Sequence, residues 1–155
     1  MYKAIPVTKN TYWVGVNDNE TDLFESLWAL PQGVTYNAYV VVGEKTVAID
    51  TVKGPWFDEY LNKVAAALDG RELDYLVINH MEPDHAGVVS QLKLRYPDVK
   101  FIGNAKTLPM LKGYHGIESN TVKVKDGDTL DIGGHVLSFS TIPMGPWRES
   151  MVTYD

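Results

Sequence analysis

The sequence predicts a single α/β domain in which helices cover one face of a mixed β-sheet. Strand-like and helix-like runs alternate from the N-terminus to about residue 113. A strand-rich stretch then follows, and apolar residues alternate with polar ones over residues 136–142. With 155 residues, the chain is long enough for one domain with a buried core.

Strands are predicted where β-branched and aromatic residues cluster or alternate. In chain order, these segments are residues 11–16, 35–42, 45–50, 76–78, 100–103, 121–124, 129–132 and 136–142. Gly43-Glu44 separates two of them and favours a hairpin. The run Leu76-Val77-Ile78 is wholly apolar, which is typical of a buried central strand.

Helices are predicted where apolar residues recur at helical spacing. The first follows Gly54-Pro55 and ends at Asp69-Gly70, and its apolar stripe consists of Trp56, Tyr60, Val64 and Leu68. We expect this stripe to pack against the sheet rather than bind a cofactor. The second helix is predicted over residues 86–96, and the third runs from a cap at Asn104 to near Gly113.

An apolar segment between the first two strands ends at Pro31. Its apolar members are Leu23, Phe24, Leu27, Trp28 and Leu30. We expect it to form a lid over the core. Two histidines receive no predicted role: His115 is expected in a loop, and His135, after a tight turn, is expected on the surface.

Bulk composition excludes several classes of protein. The 45% apolar and 11% aromatic content is typical of a globular protein, and the net charge of −6 argues against a nucleic-acid surface. The chain has no cysteine, so it carries no disulfide, zinc–thiolate site or iron–sulfur cluster. No signal-like or membrane-length apolar run is present, and a cytoplasmic protein that neither spans a membrane nor binds nucleic acid is expected.

Four potential metal ligands, His80, Glu82, Asp84 and His85, follow the central strand within six residues. Pro83 disfavours helix before it, so a loop is expected here. A loop at the end of a buried strand can direct several side chains to one point, and imidazole and carboxylate groups suit zinc, iron or manganese. So much negative charge without basic neighbours favours a bound cation. Asp84 has a structural alternative, because it lies where a helix N-cap is expected.

The spacing His80-x-Glu82-x-Asp84-His85 resembles the metallo-β-lactamase superfamily, whose general members carry H-x-H-x-D-H. Here Glu82 takes the place of the second His, and in this the motif resembles that of the flavodiiron branch. The exchange of His for Glu suits iron better than zinc. Further segments resemble that branch in its own order, across essentially the whole chain: Trp13-Val14-Gly15, Leu23-Phe24-Glu25, Leu30-Pro31-x-Gly33, Tyr36-Asn37-Ala38-Tyr39, Ile49-Asp50-Thr51-Val52, residues 79–85, residues 124–130 and residues 150–154.

The resemblance implies a metallo-β-lactamase-like αββα fold, a sandwich of two α/β halves. This chain is expected to supply the first half and part of the centre. A sheet face left uncovered by the other half would favour self-association.

The resemblance also implies a diiron site. His80 and Glu82 would hold one iron and Asp84 the other, with His85 either a ligand or a hydrogen-bonding neighbour. Residues expected to support the site without binding metal are Asp50 and Asn79, and more weakly Glu25. Trp147 would lie toward the flavin of a neighbouring subunit.

Two departures from the family pattern affect this expectation. The next His ligand of the family follows Pro-Met-x and precedes Trp, but this chain has Pro146 there, and proline offers no donor atom. Later ligands and the flavodoxin-like FMN domain of the family lie beyond residue 155, so residues 1–155 are expected to be a truncated domain. Arg148 could neutralise Glu82 or Asp84 in place of a metal.

Three functional classes remain open from the sequence. The first is a flavodiiron-type oxidoreductase domain, impaired by truncation; the family reduces dioxygen to water or nitric oxide to nitrous oxide, as a homodimer with a rubredoxin-like electron donor. The second is a metal-dependent hydrolase, against which Glu82 weighs. The third is a non-catalytic, metal-poor assembly module, which Pro146 favours. Whether this chain alone is an enzyme also stays open.

Overall fold

The computed structural model describes residues 2–142 and 147–155. The strands are β1 (Ile5–Pro6), β2 (Thr11–Trp13), β3 (Val16–Asp18), β4 (Leu23–Phe24), β5 (Trp28–Ala29), β6 (Val34–Tyr36), β7 (Tyr39–Val42), β8 (Thr46–Ile49), β9 (Tyr75–Val77), β10 (Lys100–Gly103), β11 (Thr121–Lys123), β12 (Thr129–Asp131), β13 (Val136–Thr141) and β14 (Met151–Tyr154). The helices are a 3₁₀ turn (Gly54–Trp56), α1 (Phe57–Leu68), α2 (Pro83–Ala86), α3 (Val89–Arg95) and α4 (Thr107–His115).

A seven-stranded mixed sheet organises the domain, in the order β1-β2-β7-β8-β9-β10-β11. The strands from β1 to β8 pair antiparallel. From β8 to β11 the pairing is parallel, and the crossovers contain α1, then α2 and α3, then α4. Parallel strands require such crossover connections, because a tight turn can only join antiparallel neighbours.

The two faces of this sheet have separate cores. On one face, Val40, Ala48 and Leu76 pack with helix residues such as Tyr60 and Leu92, all fully buried. The helices therefore cover one face, as the sequence predicted.

The other face packs against a three-stranded antiparallel sheet, β12-β13-β14. Val47, Val77 and Ile102 contribute to this core from the large sheet, and Leu137 and Phe139 contribute from β13. The expectation of an uncovered face on the large sheet is therefore wrong for this region. On the three-stranded sheet, exposed apolar residues include Val136, Val152 and Tyr154.

Two predicted strands are interrupted. The strand predicted over residues 11–16 is split into β2 and β3, and the one predicted over residues 35–42 is split into β6 and β7. At the first break, a Cβ atom on Gly15 would collide with the carbonyl oxygen of Tyr36. The backbones of Gly15 and Tyr36 approach so closely that only glycine fits at position 15. Beyond this break, β3 leaves the large sheet and pairs with β6.

The predicted core lid is instead an exposed hairpin, formed by β4 and β5. Leu27 and Trp28 are 75% and 66% exposed. Phe24 stacks on Trp28, with the ring centroids 6.4 Å apart. The prediction of a lid is wrong for most of this segment: Phe24 packs against the core, but Leu23, Leu27 and Trp28 leave much of their surface in solvent.

Helix boundaries also differ from the predictions. The predicted helix over residues 86–96 is preceded by α2 and begins as α3 only at Val89, because the hydroxyl of Thr51 accepts the Val88 N–H at 3.2 Å. Helix α4 continues past Gly113 to His115, and Gly116 ends it with a left-handed φ of 64°.

Neither remaining histidine lies where it was predicted. His115 belongs to α4 rather than to a loop, and its Nδ1 lies 2.9 Å from the hydroxyl oxygen of Ser90. His135 is half-buried rather than on the surface, because it lies between Asn10 and Asp155. Among the described residues, no helix has the length and apolar character needed to cross a membrane.

Candidate metal centre

The candidate ligands lie at the carboxyl ends of the parallel strands β8 and β9. Ile49 and Val77 are paired in register at these ends, so the residues that follow them, Asp50 and Ile78-Asn79, emerge side by side. The carboxyl ends of parallel strands are where open α/β sheets bind ligands. The short helix α2 begins at Pro83, so the loop predicted over residues 80–85 is in fact a loop only up to Glu82. Proline is favourable at the first position of a helix, where its missing N–H has no partner to lose.

His85 is held from behind by Asp50. Oδ2 of Asp50 lies 3.1 Å from Nδ1 of His85, and Oδ1 accepts the Asn79 N–H at 2.7 Å. The carbonyl oxygen of His85 accepts bonds from the N–H and hydroxyl of Thr51 at 2.7 and 2.9 Å. Both the ring and the backbone of His85 are therefore fixed by the segment that follows β8.

His80 is held in the same way by Glu149, which lies just before β14. Oε1 of Glu149 is 2.8 Å from Nδ1 of His80 and accepts the Met81 N–H at 3.1 Å. The Ser150 hydroxyl oxygen lies 3.2 Å from the same ring nitrogen. Trp147 meets the ring of His80 edge-on, with the centroids 5.4 Å apart.

The other nitrogen of each ring faces a carboxylate of the ligand segment. Nε2 of His80 lies 2.9 Å from Oε2 of Glu82, and Nε2 of His85 lies 3.6 Å from Oδ2 of Asp84. The two imidazole centroids are 5.1 Å apart. The site thus contains two carboxylate–imidazole–carboxylate rows side by side.

The surrounding carboxylates affect the charge on His85. Burial acts to lower its pKa, but the hydrogen bond and charge of Asp50, with the charges of Asp84 and Glu82, outweigh burial and raise the pKa of His85 above its ordinary value. The site therefore favours positive charge at this position.

Two observations test whether these residues fit a metal ion. Oδ1 of Asp84 is buried without a hydrogen-bond partner among the described residues, which is costly for an anionic oxygen unless a cation binds it. A neutral imidazole has one N–H, yet His80 has acceptor-only carboxylates on both sides. Either a second proton or a metal ion must satisfy its Nε2. Imidazole nitrogens and carboxylate oxygens with supported histidines are a donor set that fits iron or zinc.

The donors are nevertheless paired two by two. Within residues 2–142 and 147–155, no group of three or more His, Asp and Glu side chains converges closely enough to hold a metal ion. The side chains as they stand provide two half-sites, each with one nitrogen and one carboxylate. Pro146, at the position of the family's next His ligand, lies outside the described residues.

Three further residues were predicted at or near the site, and they differ in how close they lie to it. Asn79 links the site to β14, because its side-chain oxygen accepts the Thr153 hydroxyl at 2.8 Å and its carbonyl accepts the Met151 N–H at 2.9 Å. Glu25 is exposed in the turn between β4 and β5. Arg148 is exposed and, within the described part of the chain, forms no ion pair with Glu82 or Asp84.

Sequence reasoning missed Glu149, which is only 3% exposed. A single Glu between Arg148 and Ser150 gives no local signal of burial. Its proximity to the segment Ser150–Tyr154, which resembles the family, was the only available indication.

Comparisons with known proteins identify the family and the fold. Residues 34–155 match the family model described as ODP family beta lactamase. The chain is 40% identical over 152 residues to the flavo-diiron protein FprA2 of Clostridium acetobutylicum, covering 97% of this chain and 38% of that protein. It is 41% identical over 154 residues to an anaerobic nitric oxide reductase flavorubredoxin of Pectobacterium atrosepticum, covering 97% of this chain and 30% of that protein.

Solved structures give the same result. The flavodiiron protein from Giardia intestinalis superposes with a TM-score of 0.91 at 31% identity, covering 99% of this chain and 38% of that one. The rubredoxin oxygen:oxidoreductase of Desulfovibrio gigas superposes with a TM-score of 0.91 at 33% identity, covering 98% of this chain and 38% of that one. The predicted resemblance and fold class are confirmed, and the chain spans less than two fifths of the length of these proteins.

Proposed function

Because the chain belongs to the ODP beta-lactamase family, we propose that it forms the iron-binding part of a flavodiiron-type oxidoreductase that reduces dioxygen or nitric oxide. The observation that carries the proposal is the pair of histidines that each lie between two carboxylates. The names of the similar proteins include a nitric oxide reductase and an oxygen oxidoreductase, and both substrates are therefore proposed.

In this proposal, His80 and Glu82 hold one iron, and Asp84, with His85, holds the other. Bound iron would supply the redox chemistry, with electrons delivered through FMN. Asp50 and Asn79 support the site from the end of the sheet, where Asp50 keeps a proton on Nδ1 of His85 and leaves Nε2 directed at Asp84.

The protein's own residues also shape the surroundings of the site. Trp147 packs edge-on against His80, whose side chain is only 14% exposed. The carboxylates of Glu82 and Asp84 supply the negative charge that a divalent cation requires. A small apolar substrate needs no fixed hydrogen-bonding partners, which suits this environment.

The proposal extends to partners outside this chain. FMN would be held by a flavodoxin-like domain, which residues 1–155 do not provide, with Trp147 facing the flavin of a neighbouring subunit in a homodimer. A rubredoxin-like protein or domain would donate electrons, as the names of two similar proteins suggest. The proposed location is the cytoplasm.

A metal-poor assembly module is the second candidate. The pairing of the four donors favours it, since no three of them converge in the described part of the chain. In that case the rows between histidines and carboxylates would be ordinary hydrogen-bonded ion pairs.

Metal analysis distinguishes these functions. The chain would be purified without chelators, its iron and zinc measured, and anaerobic Fe²⁺ titrated into the apoprotein. We expect iron in the wild type and its loss in the double variant His80→Ala, His85→Ala. The variant His135→Ala is the matched control, because His135 contacts Asn10 and Asp155 rather than the site.

The other outcomes identify the alternatives. Zinc without iron in the wild type would favour the hydrolase. Absence of both metals from the purified wild type, with no uptake of Fe²⁺ by its apoprotein, would favour the assembly module. If iron is retained, consumption of nitric oxide or dioxygen by the chemically reduced protein tests the substrate.

A further inference from the structure

Glu149 is a buried carboxylate that the sequence did not single out. It lies between Trp147 and β14, is 3% exposed, and has no cation among the salt bridges of the described residues other than the imidazole of His80. A buried carboxylate needs strong hydrogen-bond donors, because the charge has lost its water. Glu149 has two of them on one oxygen, the Met81 N–H and Nδ1 of His80.

The direction of these bonds fixes the state of His80. With Glu149 ionised, its oxygen only accepts hydrogen bonds, and the contact then requires a proton on Nδ1 of His80, which also lies 3.2 Å from the Ser150 hydroxyl oxygen. Glu82 faces Nε2, on the other side of the ring. Glu149 therefore lies behind the imidazole and cannot share a metal ion with Nε2, which makes it a positioning residue and not a ligand.

Asp50 has the same relationship to His85, although it comes from a different part of the chain. Each carboxylate contacts Nδ1 of one histidine and also accepts a backbone N–H of the ligand segment, that of Met81 for Glu149 and that of Asn79 for Asp50. Two unrelated segments thus satisfy the same requirement. Metal-binding histidines commonly have such a partner, which sets the tautomer and the ring orientation.

The segment that carries Glu149 is itself anchored. The carbonyl oxygen of Glu149 accepts the Asn104 side-chain N–H at 2.5 Å, and the carbonyl oxygen of Arg148 accepts from Nζ of Lys106 at 3.0 Å. Asn104 and Lys106 lie between β10 and α4, so Glu149 is fixed against the large sheet. A carboxylate held in this way can define the position of His80.

We propose that Glu149 is the positioning residue of His80: it holds the proton on Nδ1, directs Nε2 toward Glu82, and so prepares one half of the site for a metal ion. The statement about Nδ1 stands on contacts alone. The statement about metal binding rests on the proposed function.

The test compares Glu149→Gln, Glu149→Ala and the control Glu118→Ala with the wild type. Gln keeps an oxygen that can accept both hydrogen bonds but removes the charge, whereas Ala removes both. Glu118 is exposed and pairs with Lys112 at the surface, so its loss should leave the site unchanged.

The first measurement is ¹⁵N–¹H NMR of histidine side chains in the metal-free protein. We expect a slowly exchanging Nδ1 proton on His80 in the wild type and the control, an upfield shift of this proton in Glu149→Gln, and its loss in Glu149→Ala. Glu149→Gln keeps the inference testable if Glu149→Ala does not fold. An unprotonated Nδ1 in the wild type, or the same His80 signals in all four proteins, would overturn the inference.

The second measurement is a calorimetric titration with zinc as a probe ion. We expect affinity about 10–100-fold weaker in Glu149→Ala, with Glu149→Gln in between and Glu118→Ala unchanged. Equal affinity in all variants would overturn the role in metal binding. If the wild type binds neither zinc nor iron, the proposed function fails, while the NMR result still decides whether Glu149 positions His80.

Discussion

Asp50 and His85 face each other at the carboxyl end of the parallel strands, with Oδ2 and Nδ1 3.1 Å apart. Asp50 has a left-handed backbone, with φ of 57°, although it is not a glycine. Such a conformation costs about 1–2 kcal/mol for most residues. It is retained because it brings one oxygen to His85 and the other to the Asn79 N–H, which lies 2.7 Å away.

Replacement of Asp50 separates the stabilisation by its hydrogen bonds from the cost of its left-handed backbone. We expect Asp50→Ala to lower the free energy of unfolding by about 2–4 kcal/mol, from a buried unpaired amide and a left-handed alanine. Asp50→Asn should lose only about 1 kcal/mol, since Asn tolerates this backbone and keeps one acceptor oxygen. Urea unfolding monitored by circular dichroism measures both.

Asp69 provides the control for the backbone contribution. It is exposed at the end of α1 with φ of 48°. Asp69→Ala should therefore show the cost of the left-handed alanine alone, about 1 kcal/mol. If Asp50→Ala were no more damaging than Asp69→Ala, the hydrogen bonds of Asp50 would contribute nothing to stability.

Asp18 should make stability depend on acid pH. Burial acts to raise its pKa, but hydrogen bonds from Thr21, Glu20 and Tyr36 outweigh burial and hold the pKa well below its ordinary value of 3.8. The folded state thus binds its proton only at lower pH than the unfolded state. The stability that Asp18 contributes is complete above about pH 5 and is lost as the pH falls below 4.

The variant Asp18→Asn lacks this titration. We expect it to be about 1–3 kcal/mol less stable than the wild type at pH 7, with a smaller difference at pH 3. Urea unfolding at both pH values measures the difference, and the exposed Asp22→Asn is the control. A difference that stays constant between the two pH values would be inconsistent with the lowered pKa.

Asp84 should affect stability mainly when metal is present. Its Oδ1 is buried without a partner in the described part of the chain, so Asp84→Ala should leave the metal-free protein within about 1 kcal/mol of the wild type. Added Fe²⁺ or Zn²⁺ should raise the Tm of the wild type more than that of the variant, which keeps only the His80–Glu82 half of the site. Thermal unfolding with and without metal tests this, and an equal rise in both proteins would remove Asp84 from the proposed ligands.

Self-association is expected through the outer face of the three-stranded sheet. Val152 and Tyr154 are 47% and 76% exposed there, and they lie on the same face of β14 because they are two residues apart. The double variant Val152→Ser, Tyr154→Ser should shift a dimer toward monomer in sedimentation velocity at micromolar concentration. Leu94→Ser is the control, because Leu94 is exposed on α3. Dissociation by Leu27→Ser, Trp28→Ser instead would assign the interface to the β4–β5 hairpin.

Local sequence signals predicted much of the fold. Leu76 and Val77 lie in the buried central strand β9, and Ile78 is buried directly after it. Tyr60, Val64 and Leu68 of the predicted stripe pack against the large sheet from α1, because periodicity and burial agree in these segments. The proximity of Asp50 to the ligand segment was expected from the family resemblance, and the parallel pairing of β8 and β9 accounts for it.

Other features depend on contacts that no short segment encodes. The apolar residues Leu27 and Trp28 suggested burial, but hydrophobicity does not tell whether a surface exists to cover them. Glu149 is ordinary in sequence and becomes buried only because β14 brings it to His80, 69 positions earlier in the chain. The break at Gly15 likewise depends on the backbone of Tyr36.

The supports of the two histidines come from distant parts of the chain, 35 positions away for His85 and 69 for His80. Contacts between residues so far apart close large loops and form slowly during folding. His80 acquires its partner only after β14 has docked beside the large sheet. Metal capture by this chain would then be a late event, and the rate at which a refolding sample gains metal affinity would report the docking of its C-terminal strand.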